Sequence, residues 1–139
     1  GFAYVGPSGA GHYVKMVHNG IEYALLQAYA EGFHVLKQGS FAQESLDLAS
    51  IAKLWNHGSV IRSFILQLAQ EIFEKDTDLE TISGEVAESG MGRWTIQEAQ
   101  KHGIPIALIE ESLAIRFQSQ KTGGNYATKI VSLLREKFG

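Results

Sequence analysis

From Val14 to Lys37 the chain runs without a proline, and Val17, Ile21, Ala24, Leu25 and Ala28 recur at helical spacing before Gly39. A segment of that length and pattern leaves few alternatives to one long helix. Inside it sits His18-Asn19-Gly20, and Asn-Gly is the strongest short hairpin signal. A hairpin there needs flanks of period two, which Val14 to His18 and Ile21 to Leu26 do not supply cleanly. Helix is therefore the better reading, although His-Asn-Gly costs about 2 kcal/mol of helix propensity relative to three alanines. A cost of that size predicts that these residues serve something other than the helix itself.

On a helical wheel Lys15, His18, Asn19 and Glu22 share an arc of about 100°, with Val14, Val17, Ile21, Ala24 and Ala28 opposite and expected to face the core. Beyond Glu22 the polar arc continues as Leu26, Tyr29 and Phe33, so the helix turns apolar nearly all round and reads as central and buried. Lys15 and Glu22 stand about 10 Å apart along the axis, at about 1.5 Å per residue, which suits a substrate of several carbons lying along the helix. Apolar flanks can lower a lysine pKa toward a usable base and raise that of a glutamate toward a usable acid. Lys and Glu on one face equally describe a solvated stripe. Gly20 points away from this arc, and the sequence names no neighbour for it.

Further helical patterns follow. One covers 41–57 and ends at Gly58; Ser59 is expected to cap the next, which runs to Phe73. After a weak stretch from Leu79 to Val86, Thr95-Ile96-Gln97-Glu98 reads as a capping box opening a short helix to His102-Gly103. Pro105 is expected in the first turn of the next helix, to about Gln120, and Asn125 caps a last one to Phe138. The only strand-like segment is Phe2 to Val5. The predicted fold class is all-α, a multi-helix domain around a long central helix.

A chain of 139 residues is about one domain. Its net charge of −3 argues against a nucleic-acid partner. It has no cysteine, and its five histidines show no metal-ligand spacing, so no metal is expected. No apolar run is long enough for a membrane span and no signal-peptide order opens the chain, so a cytoplasmic protein is expected. Charged residues are 19% against a typical value of about 25%, which predicts that part of the surface meets protein, most simply as a homodimer.

The residues from Gly9 through Lys15, His18-Asn19-Gly20 and Glu22 to Tyr23 closely resemble the signature of the 6-phosphogluconate dehydrogenases, at the start of their helical domain. The resemblance continues through Gly90-Met91-Gly92-Arg93-Trp94-Thr95 and from Ala114-Ile115-Arg116 to the end, and is to the shorter members, whose helical domain is not duplicated. It implies oxidation of 6-phosphogluconate with NAD or NADP and loss of carbon dioxide to give ribulose 5-phosphate. It implies Lys15 as the base at the C3 hydroxyl and Glu22 as the acid that protonates the enediol. By the same resemblance His18 and Asn19 hold substrate and nicotinamide, and Tyr23 and Arg116 contact the substrate phosphate.

The resemblance further implies a preceding dinucleotide-binding domain, with residues 1–8 its residual strand or linker and 9–139 a helical substrate-binding and dimerisation domain. No G-x-G-x-x-G follows a strand in this chain, so alone it is expected neither to catalyse nor to bind NAD tightly. Ser89 and Met91 stand where the longer enzymes of the family carry a lysine and a threonine, which leaves the phosphate end without a cation expected there. Two other readings stay open: a related dehydrogenase acting on a different 3-hydroxy acid, and a non-catalytic helical module kept for assembly.

Overall fold

The computed structural model describes residues 1–138 and contains six α-helices in that range, with no strand. They are α1 (Ala10–Gln38), α2 (Leu48–Asn56), α3 (Phe64–Lys75), α4 (Met91–Lys101), α5 (Ala107–Thr122) and α6 (Tyr126–Phe138). The long α1 is the axis of the fold, packing against α4, α5 and α6 and touching α2. The expected all-α domain around one long helix is what forms, and the Asn19-Gly20 pair lies inside α1. Among the described residues no helix is long and apolar enough to cross a membrane.

The core gathers at the C-terminal half of α1. Leu26, Ala30 and Phe33 pack with Leu48 and Ala52 of α2, Leu66 and Phe73 of α3, and Ile130 and Leu134 of α6. The Phe33 ring lies 4.8 Å from Phe73 and 5.5 Å from Trp55, within the range of favourable tilted aromatic pairs. The expected inward stripe of α1 is not the one that is buried. Gly20, Tyr23, Leu26, Gln27, Ala30 and Phe33 face inward, while Val14, Ile21 and Leu25 are 47%, 50% and 43% exposed. Two stripes of α1 are apolar, and periodicity alone does not choose between them; close approach of α4 does.

That approach explains Gly20. A Cβ there would lie 2.9 Å from Thr95 Cγ2, so only a bare backbone lets α4 press this close. Thr95 is accordingly not a helix cap. It is buried inside α4, where its hydroxyl donates to the carbonyls of Met16, at 2.9 Å, and Met91, at 3.0 Å. The start of α4 is set instead by Gly90 in the left-handed region, φ 93°. Gly92 repeats the device from the other side, since a Cβ there would meet the Tyr23 ring at 2.6 Å.

Other boundaries also differ from expectation. The single helix predicted for 41–57 is a 3-10 turn, Ala42–Glu44, followed by α2, whose cap is Asp47 accepting from Ser50 N–H at 3.1 Å. Ser63, not Ser59, caps α3; the Ser59 hydroxyl folds back onto Trp55 O. Pro105 precedes α5, whose cap is Ile106, and α5 runs on to Thr122. Asn125 does cap α6, accepting from Thr128 N–H at 3.0 Å. Phe2 to Val5 forms no strand, having no second strand to bond, and Phe2 and Tyr4 are exposed.

The irregular stretch before α4 is tied down rather than loose. Val86 N–H donates to Ser119 Oγ and Gln120 Nε2 to Val86 O, both from α5. This strap carries Ala87, Glu88 and Ser89 across the N-terminal half of α1, where the polar residues lie.

Candidate functional site

The first turns of α1 carry Lys15, His18, Asn19, Glu22 and Tyr23, exposed or partly covered except for the buried Tyr23. Lys15, Asn19, Glu22 and Tyr23 line one cleft of about 230 Å³ together with Ser89 and Arg116. His18 does not open into it. It lines a larger neighbouring groove, shared with Lys15 and Glu22, and touches the cleft through Asn19, whose Oδ1 lies 2.9 Å from His18 Nδ1. An imidazole protonated at Nδ1 donates to that oxygen, which orients the carboxamide and leaves its NH₂ group available. Most of the predicted constellation thus meets at one cleft, with His18 supporting from the side.

The apolar surroundings expected for Lys15 are absent within this chain: Lys15 and Val14 are exposed, and Met16 and Val17 are only half-buried. The exposed Lys15 side chain lines the cleft. Glu22 is partly covered.

The same cleft holds a buried cation. Arg116 is 2% exposed, and its guanidinium stacks over the Tyr23 ring with Cζ 3.5 Å from the centroid. Nη1 donates to Ala87 O at 3.4 Å, while Nη2 is buried without a hydrogen-bond partner among the described residues. Burial pulls the Arg116 pKa down to about 10, with Arg135 pushing the same way and Glu22 and Glu88 opposing, so the group stays cationic at neutral pH. A buried guanidinium N–H with nothing to donate to costs on the order of 1–3 kcal/mol, which an anion at the cleft would recover.

Tyr23 has a second duty that its sequence does not announce. Its hydroxyl lies 3.1 Å from Ser89 Oγ and accepts from Ser89 N–H at 3.1 Å, locking the strap onto α1. Ser89 therefore does reach the cleft, as a hydroxyl and not a cation, whereas Met91 is not among its lining residues. Arg135, near the end of α6, also lines the cleft and was not anticipated. Its sequence disguises it: a basic residue in the last turn of a helix is the ordinary complement to the helix dipole.

These features define a class: an all-helical domain that joins a lysine, a carboxamide and a carboxyl to a buried cationic anchor along one helix. Residues 11–136 match the family model described as 6-phosphogluconate dehydrogenase, C-terminal domain, and the chain belongs to that family. It is 48% identical over 140 residues to the NAD(+)-dependent, decarboxylating 6-phosphogluconate dehydrogenase of Haloferax volcanii, covering 100% of this chain and 46% of that protein. The YqeC protein of Bacillus subtilis is 41% identical over 139 residues, with 46% of its length covered. The decarboxylating 6-phosphogluconate dehydrogenase of Salmonella typhimurium is 41% identical over 135 residues, covering 93% of this chain and 28% of its own length. The chain spans about half the length of the first two relatives, or less than that of the third.

Proposed function

We propose that this chain is the substrate-side domain of an NAD(P)-dependent, decarboxylating 6-phosphogluconate dehydrogenase, working with a dinucleotide-binding domain that precedes it. The observation that carries the reading is the cleft itself: Lys15, Asn19 and Glu22 line it together with a buried Arg116 whose Nη2 has no partner among the described residues. A substrate with a phosphate at one end and a hydroxy acid at the other has the charge and length for it.

Lys15, as the free amine, takes the proton of the C3 hydroxyl. The ammonium so formed stays beside the developing carbonyl oxygen and stabilises the enolate left as carbon dioxide departs. Glu22, as the carboxylic acid, returns a proton to the enediol carbon. His18 keeps Asn19 oriented, and the Asn19 NH₂ group donates to substrate or nicotinamide. NAD or NADP, when bound, would supply the acceptor for the hydride that leaves C3. Of the described residues Asn19 fits the nicotinamide end only; among the helices there is no strand, turn and helix unit to hold the pyrophosphate.

The reading extends to a cytoplasmic homodimer. The outward stripe of Val14, Ile21 and Leu25 lies beside exposed Phe64, which is more apolar surface than a lone helix needs to show water. Sedimentation of the full-length protein should give a dimer; a monomer at high micromolar concentration refutes that part.

The test of the whole reading is turnover by the full-length protein across a panel of 3-hydroxy acids. The expected result is NAD(P) reduction with carbon dioxide release from 6-phosphogluconate, at a kcat/KM at least about tenfold above any other acid. Preference for another acid moves the chain to a related dehydrogenase. No turnover of any leaves an assembly module.

A further inference from the structure

Resting on that reading, we infer that Thr95 of α4 is a positioning residue for the reaction: its hydroxyl fixes the roll of the α1 turn that presents Lys15 and Asn19 to the cleft.

Lys15 and Asn19 have little else to aim them. Lys15 is exposed and in no ion pair among the described residues, and Asn19 is bonded through its side chain only to His18, its neighbour on the same helix. Where both groups point is therefore set by how α1 is turned about its own axis. Apolar packing does not settle that angle, since α1 carries two apolar stripes and the attraction of apolar surface has no direction. A hydrogen bond has one.

Thr95 grips this turn at two points. Its Oγ1 donates to Met16 O at 2.9 Å, next in the chain to Lys15, and its Cγ2 fills the space beside Gly20, next to Asn19, where a Cβ would come within 2.9 Å. Within α1 the Met16 carbonyl already takes the Gly20 N–H, and Thr95 has Met91 O at 3.0 Å in its own helix to donate to. Neither group needs the bond for want of a partner. What the bond adds is a fixed direction between two helices.

The crossing is repeated three residues along each helix with the roles exchanged, Gly92 of α4 lying against the Tyr23 ring of α1. Two such contacts fix the slide of the helices as well as their roll. The α4 helix is itself tied to the strap, because the Glu88 carboxylate accepts the Gly90 N–H and pairs with Arg93 at 2.6 Å. Thr95 thus joins the turn of Lys15 to the element that brings Ser89 to the same cleft.

The experiment compares Thr95→Val, which keeps the shape and loses the hydroxyl, with Thr95→Ser, which keeps the hydroxyl and loses the methyl, each in the full-length enzyme. Thr95→Val should lower kcat for 6-phosphogluconate by about tenfold or more while KM changes less than about threefold, since the base is misaligned and the groups that hold the substrate stay in place. Thr95→Ser should keep kcat within about threefold of the wild type. In a Lys15→Met background Thr95→Val should change kcat by less than about twofold, because the group it aims is gone, whereas a merely structural loss would multiply through.

Hydrogen exchange of the α1 amides is read in parallel on the same proteins. In Thr95→Val the amides from Met16 to Tyr23 should exchange at least about threefold faster, with those from Leu26 to Phe33 unchanged. Should Thr95→Val not fold, Thr95→Ala carries the same comparison. Unchanged kcat in Thr95→Val, equal losses in Thr95→Val and Thr95→Ser, or a loss that persists without Lys15 overturns the proposal. If the wild type turns over no 3-hydroxy acid the functional reading falls; faster exchange confined to the first turns of α1 then upholds the clamp, and uniform or unchanged exchange overturns it too.

Discussion

The two halves of α1 are made of the same backbone and put to opposite uses. Its C-terminal half buries Leu26, Ala30 and Phe33 completely and packs them against three other helices. Its N-terminal half exposes Lys15 and His18, half-covers Asn19 and Glu22, and packs through a glycine instead of through bulk. The candidate site is thus borne on a rigid extension of the core. A side chain on such an extension keeps its place without being buried, which is what a cleft residue needs.

If the halves are separable in this way, substitutions in one should change stability and in the other turnover. The largest effect is expected for Phe33→Ala in the full-length protein, which should cost about 3–5 kcal/mol in denaturant unfolding while any enzyme still folded keeps its kcat. A loss below about 1 kcal/mol would mean that the aromatic cluster with Phe73 and Trp55 is not the keystone assigned to it. The converse is Lys15→Met, which should lower kcat roughly a hundredfold or more, about 2.7 kcal/mol in barrier, with unfolding unchanged. Near-normal turnover of that variant would remove the base from the mechanism.

Where the halves meet, Gly20→Ala sharpens the comparison. The added methyl must displace Thr95, and after the gain in helix propensity the net cost should be about 1–2 kcal/mol. In a Thr95→Ala background that cost should shrink by at least about 0.5 kcal/mol; strict additivity would say that the two residues do not press on each other.

The smallest effect lies at the core end, in the cap of α2. Hydrogen bonds from the Ser50 hydroxyl and N–H hold the Asp47 carboxyl below its ordinary value of 3.8. A lowered folded pKa means that its stabilisation is present above about pH 4 and lost as the pH falls through the lowered value. Asp47→Asn, still a good cap, should therefore make stability fall less steeply with acid over that window. An unchanged acid limb would show that the cap acts through shape alone.

Much of the candidate site was legible because it is local. Lys15, Asn19, Glu22 and Tyr23 lie within little more than two turns of one helix, so the helical period alone brings them to a common side. Arg116 was reachable only through the family motif, since nothing in Ala114-Ile115-Arg116 says that the guanidinium is buried on a tyrosine from α1. Arg135 was missed because its neighbours across the cleft are all distant in sequence. The misplaced caps at Ser59 and Thr95 have the same origin, as each hydroxyl found a carbonyl to donate to: Ser59 one in the helix before it, Thr95 one in its own helix and one across the crossing.

Taken alone, the order of residues determined that a long helix would form, that it would be interrupted by no hairpin, and that a lysine and a carboxyl would sit two turns apart on one side. These follow from backbone sterics and a fixed rise per residue, which act between near neighbours. Which apolar stripe of α1 turns inward, what Gly20 makes room for, and that two arginines from α5 and α6 line the same cleft were decided only by packing. Close approach between helices depends on shapes that meet in space, and no periodicity along the chain carries that information.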